Sequence, residues 1–95
     1  MECEMNLTLH ARQRMQQRGI PRQAIGYVLA YGRVSHDHRG ACVVWLDKRS
    51  KARIWREEGR QVVRKLDKHL DAYVVTDTDG TVVTVGHRYR RIRRH

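Results

Sequence analysis

The chain has 95 residues, a hydrophobic fraction of 40% with no Phe, and a formal net charge of +10. That length fills one domain with a modest core, so a single unit spanning residues 1–95 is expected. No apolar run approaches the roughly 20 residues that span a bilayer, and Met1 to Asn6 lacks the basic start and apolar stretch of a signal peptide; a cytoplasmic protein without membrane contact is expected.

Thr8 can cap a helix through Arg18, with Gly19 as its left-handed stop. Leu7, Ala11 and Met15 recur every four residues as its core stripe, and His10, Arg14 and Arg18 form a second stripe at the same spacing. Ile20-Pro21 restarts the chain, because proline suits a first helical turn and holds the preceding residue extended. A second helix over Pro21 to Tyr31 would bury Ala24, Ile25, Val28 and Leu29 and end at Gly32.

Arg33 to Asp37 and Ala41 to Asp47 flank the turn residues His38-Arg39-Gly40, a β-hairpin pattern. Lys48 to Leu70 is helical but broken at Gly59, with Ala52 and Trp55 as the apolar positions before the break and Val62, Val63, Leu66 and Leu70 after it. Ala72 to Thr76 and Thr81 to His87 enclose Asp77-Thr78-Asp79-Gly80, the clearest hairpin signal in the chain. Trp45, Trp55 and Tyr73 are the large rings available to the core. Cys3 and Cys42 read as an unpaired terminal thiol and a small buried hydrophobe, not as a disulfide framework.

The charge sits in two acid-free blocks. Met5 to His36 holds five Arg and no acid, Gly80 to His95 again five Arg and no acid, while Asp37 to Asp79 carries ten basic and eight acidic residues. Arginine forks onto phosphate and stacks on bases, so nucleic acid, RNA above all, is the expected partner. Two constellations could carry chemistry. On the first helix His10, Arg14 and Arg18 lie along one line of about 12 Å, a histidine to move a proton beside guanidinium groups to hold a phosphate. On the last strand, alternation puts Val83, Val85, His87 and Tyr89 on one face and Val82, Thr84, Gly86 and Arg88 on the other. There His87 offers a proton, Tyr89 a stacking ring, and Arg88, Arg90 and Arg91 phosphate contacts. Gly86 would let a nucleotide or another strand come close. His36-Asp37-His38 with Cys42 is too weak a pattern for a metal site, since Arg33 and Arg39 oppose a cation and no further ligand follows at a known spacing. No metal and no cofactor are expected.

The opening segment His10-Ala11-x-x-Arg14-Met15-x-x-Arg18-Gly19-Ile20 and the closing segment Asp79-Gly80-x-x-x-Thr84-Val85-Gly86-His87-Arg88 resemble an uncharacterised bacterial and phage family of unknown function that is grouped with the RelE/ParE-like toxins. The resemblance implies an α+β domain with two N-terminal helices laid on a curled antiparallel sheet, as in the wider fold joining barnase, colicin nucleases and RelE. It implies a metal-independent endoribonuclease acting on RNA, often on the ribosome, and an acidic antitoxin as protein partner; the ParE branch instead inhibits a protein target. Under that reading His87, His10, Tyr89 and Arg88 are the catalytic candidates. Arg14, Arg18, Arg90, Arg91, Arg93 and Arg94 are the nucleic-acid contacts, the last four in a basic tail from about residue 88 to 95. A non-catalytic nucleic-acid-binding module is the alternative. Two features depart from the family pattern: the insertion-like segment Arg60 to His69 and the arginine density of the tail.

Overall fold

A computed structural model of the chain describes residues 6–36 and 40–87. The order of elements is α1 (Leu9–Arg18), α2 (Arg22–Tyr31), β1 (Arg33–His36), β2 (Cys42–Trp45), α3 (Lys48–Glu58), α4 (Arg60–Leu66), one 3-10 turn (Asp67–His69), β3 (Ala72–Thr76) and β4 (Val82–His87). The strands form one antiparallel sheet in the order β1-β2-β3-β4. The fold class is α+β.

The caps expected for α1 are present. Thr8 is extended and its Oγ1 accepts the Ala11 amide at 3.0 Å, while Gly19 stands at φ 65° and closes the last turn onto the Gln16 and Met15 carbonyls. Ahead of α1, the chain lies beside β4: Thr8 donates its amide to the Val82 carbonyl at 3.0 Å, and Val82 returns its own to Asn6 at 2.8 Å. α1 packs against β4, and α2 against β2 and β3. α2 ends at Gly32 for a reason of space. Its φ of −72° is ordinary, but a Cβ there would run into the Val28 carbonyl and stand 2.7 Å from Val44 Cγ1.

The register divides the sheet into two faces. Val44 on β2, Ala72 and Val74 on β3, and Val82 and Val85 on β4 point into the core with Ala11, Ile20, Ala24, Ile25, Val28, Leu46, Ile54 and Leu66. The opposite face presents Arg33, Trp45, Tyr73 and Gly86 as direct cross-strand neighbours, then Ser35, Val43, Val75 and Thr84. Simple alternation fails on β4. The ladder slips between Val75 and Thr76, so Val82 rather than Val83 joins Val85 and His87 on the core face. A bulge of this kind inserts one residue and reverses every side chain beyond it.

The break at Gly59 is real, but the buried positions before it differ from the expectation. Ser50 and Ile54 of α3 face inward, whereas Ala52 is exposed and Trp55 is 51% exposed, with the Arg60 guanidinium 5.8 Å over its ring. Ile54 has the shape for the site one turn after Ser50, and the flat, amphipathic indole is left to the rim. Asp47 caps α3, accepting the Ser50 amide at 2.8 Å and its hydroxyl at 2.9 Å. Trp45 and Tyr73 likewise lie outside the core, half-buried on the opposite face of the sheet. Cys42 is a half-buried free thiol, 3.3 Å from His36 Nδ1 across the first hairpin. No helix among the described residues is long and apolar enough to cross a membrane.

Candidate functional site

His87 ends β4 on the core-facing side, directly opposite Ala72. It is half-buried, and the ring beside it belongs to His69, with centroids 5.7 Å apart and planes 18° from parallel. His69 Nδ1 and His87 Nε2 are 3.5 Å apart, close enough for one ring N–H to donate to the other nitrogen. Burial pushes the His69 imidazole below its ordinary value, and the charges of His87 and Lys68 push it the same way. The two nitrogens lie nearly on the line between the ring centres, so the contact offers a path for a proton from one imidazole to the other.

His69 lies inside the segment that the sequence pattern marks as an insertion. Nothing about its own neighbours singles it out. The hairpin gave only part of the signal: counting outward from Asp77 to Gly80 brings Ala72 opposite Val85, and the pairing of Thr76 with Val82 together with the bulge moves it on to His87. The residues just before Ala72 must then pass close to His87.

The stripe on α1 forms as spaced. Arg14 Nε donates to His10 Nε2 at 3.4 Å, His10 is exposed, and Arg14 and Arg18 are half-buried. The contact makes His10 an acceptor held by its own helix, and the ring that joins His87 comes from the turn before β3 rather than from α1. Arg88, Tyr89, Arg90, Arg91, Arg93 and Arg94 lie outside the described residues, as do Asp37 and His38. Among the described residues no three His, Cys, Asp or Glu side chains cluster as metal ligands.

The space over Gly86 is taken by a residue of the chain itself. A Cβ at that position would stand 2.7 Å from Tyr73 Oη, so the tyrosine ring, not a nucleotide or another strand, fills the room the glycine leaves. Elsewhere, a cavity of about 710 Å³ opens between α1 and the start of α2, its lining including Leu7, Met15, Ile20 and Pro21 together with Arg12 and Arg22. The histidine pair does not line it.

No curated protein and no solved structure matches the chain significantly. A family model does, over residues 7–87, which takes in both α1 and the histidine pair at the end of β4. The chain belongs to the family described as domain of unknown function DUF4258.

Proposed function

We propose that this protein is a RelE-like, RNA-binding toxin that cleaves its RNA without a metal ion, and that His87 and His69 move the proton. The observation that carries the reading is the ring pair at 3.5 Å at the end of β4, in a chain of net charge +10. Cleavage by transesterification takes a proton from a ribose 2′-hydroxyl as its oxygen bonds to phosphorus, and delivers one to the 5′-oxygen as the phosphorus–oxygen bond breaks. A pair of imidazoles in this contact can accept the first and return the second. Arg14, Arg18 and Arg88 would neutralise the charge on the phosphoryl oxygens, and Tyr89 would stack a neighbouring base. An acidic antitoxin is the protein partner this reading calls for, matched to the basic surface it would cover.

The test is incubation of the whole protein with labelled messenger RNA in EDTA, alone and with ribosomes, beside the His87→Ala and His69→Ala variants. Cleavage that survives EDTA and is lost in both variants supports the reading. Binding without cleavage under every condition assigns the chain to the non-catalytic alternative, and the absence of both leaves inhibition of a protein target, as in the ParE branch.

A further inference from the structure

The sheet face turned away from the core carries a row that the histidine pair does not use. Arg33, Trp45, Tyr73 and Gly86 are successive cross-strand partners over all four strands, a span of about 14 Å at the usual strand spacing. Trp45 and Tyr73 are half-buried, and neither belongs to the core cluster or to the side chains packed against it. The four strands contain no Asp or Glu.

The pose of Tyr73 gives this row its shape. A Cβ built on Gly86 would lie 2.7, 2.8 and 2.9 Å from Tyr73 Oη, Cζ and Cε2. Near-equal distances to three adjacent atoms place that point over the face of the ring, not beyond its edge. Glycine at 86 therefore lets the phenol lie flat on the β4 backbone, one side covered and the other turned outward. A flat ring beside a tryptophan is a surface for another planar group.

We propose that this row is a stacking surface for the bases of single-stranded RNA, with Tyr73 and Trp45 beneath successive bases and Arg33 on a phosphate. The occupant follows from charge and shape together. The chain's net charge of +10 favours a polyanion, with the Arg33 guanidinium exchanging its 3.3 Å contact with Asp47 for a phosphate, and every unpaired base offers a ring face to the two aromatic rings. The choice of RNA rests on the function proposed above; the stacking does not depend on cleavage. Because Gly86 precedes His87, a strand laid along the row leaves it at the β4 edge beside the histidine pair.

The experiment uses the full chain with Trp55→Phe, which leaves Trp45 as the sole tryptophan, and a 2′-O-methyl oligouridine of about ten nucleotides, within the usual site size. That oligonucleotide lacks the attacking hydroxyl, so binding is read without cleavage. Trp45 emission should be quenched on binding. Tyr73→Leu should weaken binding roughly 5- to 150-fold, the range for one lost base stack. Gly86→Ala, which lifts the ring, should weaken it in the same direction, and Tyr73→Phe should not. An RNA duplex, its bases already stacked on one another, should bind without quenching. Tight binding with Trp45 emission unchanged and Gly86→Ala like wild type overturns the stacking surface while leaving the RNA reading intact. Equal quenching by polyglutamate overturns it in favour of an acidic protein, and failure to bind the oligonucleotide at low salt overturns both readings. Should Tyr73→Leu fail to fold, quenching and the Gly86→Ala affinity decide.

Discussion

His69 and His87 meet edge to edge, the Nδ1 of one 3.5 Å from the Nε2 of the other. The pair makes stability depend on pH in a definite direction. His69 binds its proton less readily when folded than in the unfolded chain, where its value is near 6.5, because burial and the His87 and Lys68 charges oppose it. Between the two values the unfolded state holds more protons, so acid favours unfolding. The stabilisation is therefore present above about pH 6.5 and lost as the pH falls below it. Urea midpoints measured from neutral to mildly acidic pH should fall across that window, and His69→Gln should flatten the fall.

The same pair sets the kinetic expectation. A positioned general acid or base contributes typically about 10²- to 10⁴-fold to a rate, so His87→Ala should lower RNA cleavage by that order while affinity stays within a few-fold. His69→Ala should cost a similar factor, since the proton passes between the two rings. His10→Ala and His36→Ala serve as controls on α1 and β1. If His10→Ala alone abolishes cleavage with His87→Ala unimpaired, the proton moves on α1 and the pair at β4 is structural.

Asp47 joins two elements. Its carboxylate accepts from the Ser50 amide and hydroxyl at the start of α3, and Arg33 at the head of β1 lies 3.3 Å away. The Ser50 hydrogen bonds, with the Arg33 charge, hold this carboxyl below the usual carboxylate range. Its contribution is therefore present at neutral pH and lost as the pH falls through the acid range. Asp47→Ala should cost about 1 kcal/mol of unfolding free energy, the usual loss for a helix N-cap. Asp47→Ser, which keeps a capping oxygen, should recover most of it in equilibrium unfolding at pH 7.

Gly32 should be the least replaceable glycine of the α2–β1 junction. The Val28 carbonyl and the Trp45 carbonyl, the latter 2.9 Å from a Cβ at 32, are backbone and cannot swing aside. Gly32→Ala should destabilise by about 1–3 kcal/mol, the range for overpacking, or more. Gly26→Ala on the same helix meets nothing within 4 Å and should raise or hold the melting temperature. Thermal unfolding of the two variants side by side reads the contrast.

Local rules carried the sequence a long way. Thr8, Gly19, the Gly59 break and the Asp77 to Gly80 turn each act within a few residues, and each lies where capping and turn preferences put it. What escaped was set by contacts between distant segments. Trp55 has the hydrophobicity of a core residue, yet the inward position one turn after Ser50 belongs to Ile54. The bulge before Thr76 exchanged Val82 for Val83, and no local pattern marks a single extra residue in a run of valines. His69 is polar, lies in a turn, and matters only because β3 carries it to His87. Trp45 and Tyr73 alternate with Val44 and Val74 as any half-buried strand would, but periodicity does not say which set meets the helices.

The hydrogen bond from Thr8 Oγ1 to the Val83 carbonyl, 3.3 Å long, joins residues 75 apart in sequence. Together with the Asn6 and Thr8 backbone bonds to Val82, it makes the first described segment of the chain a lateral neighbour of the last strand. α1 therefore has no sheet to rest on until β4 exists. During synthesis α1 must wait until β4 has been made, and its docking is a late, long-range closure rather than local growth. A chain interrupted before Val82 lacks the strand on which α1 packs and leaves Ala11 and Met15 exposed, a substrate for proteolysis rather than a partial domain.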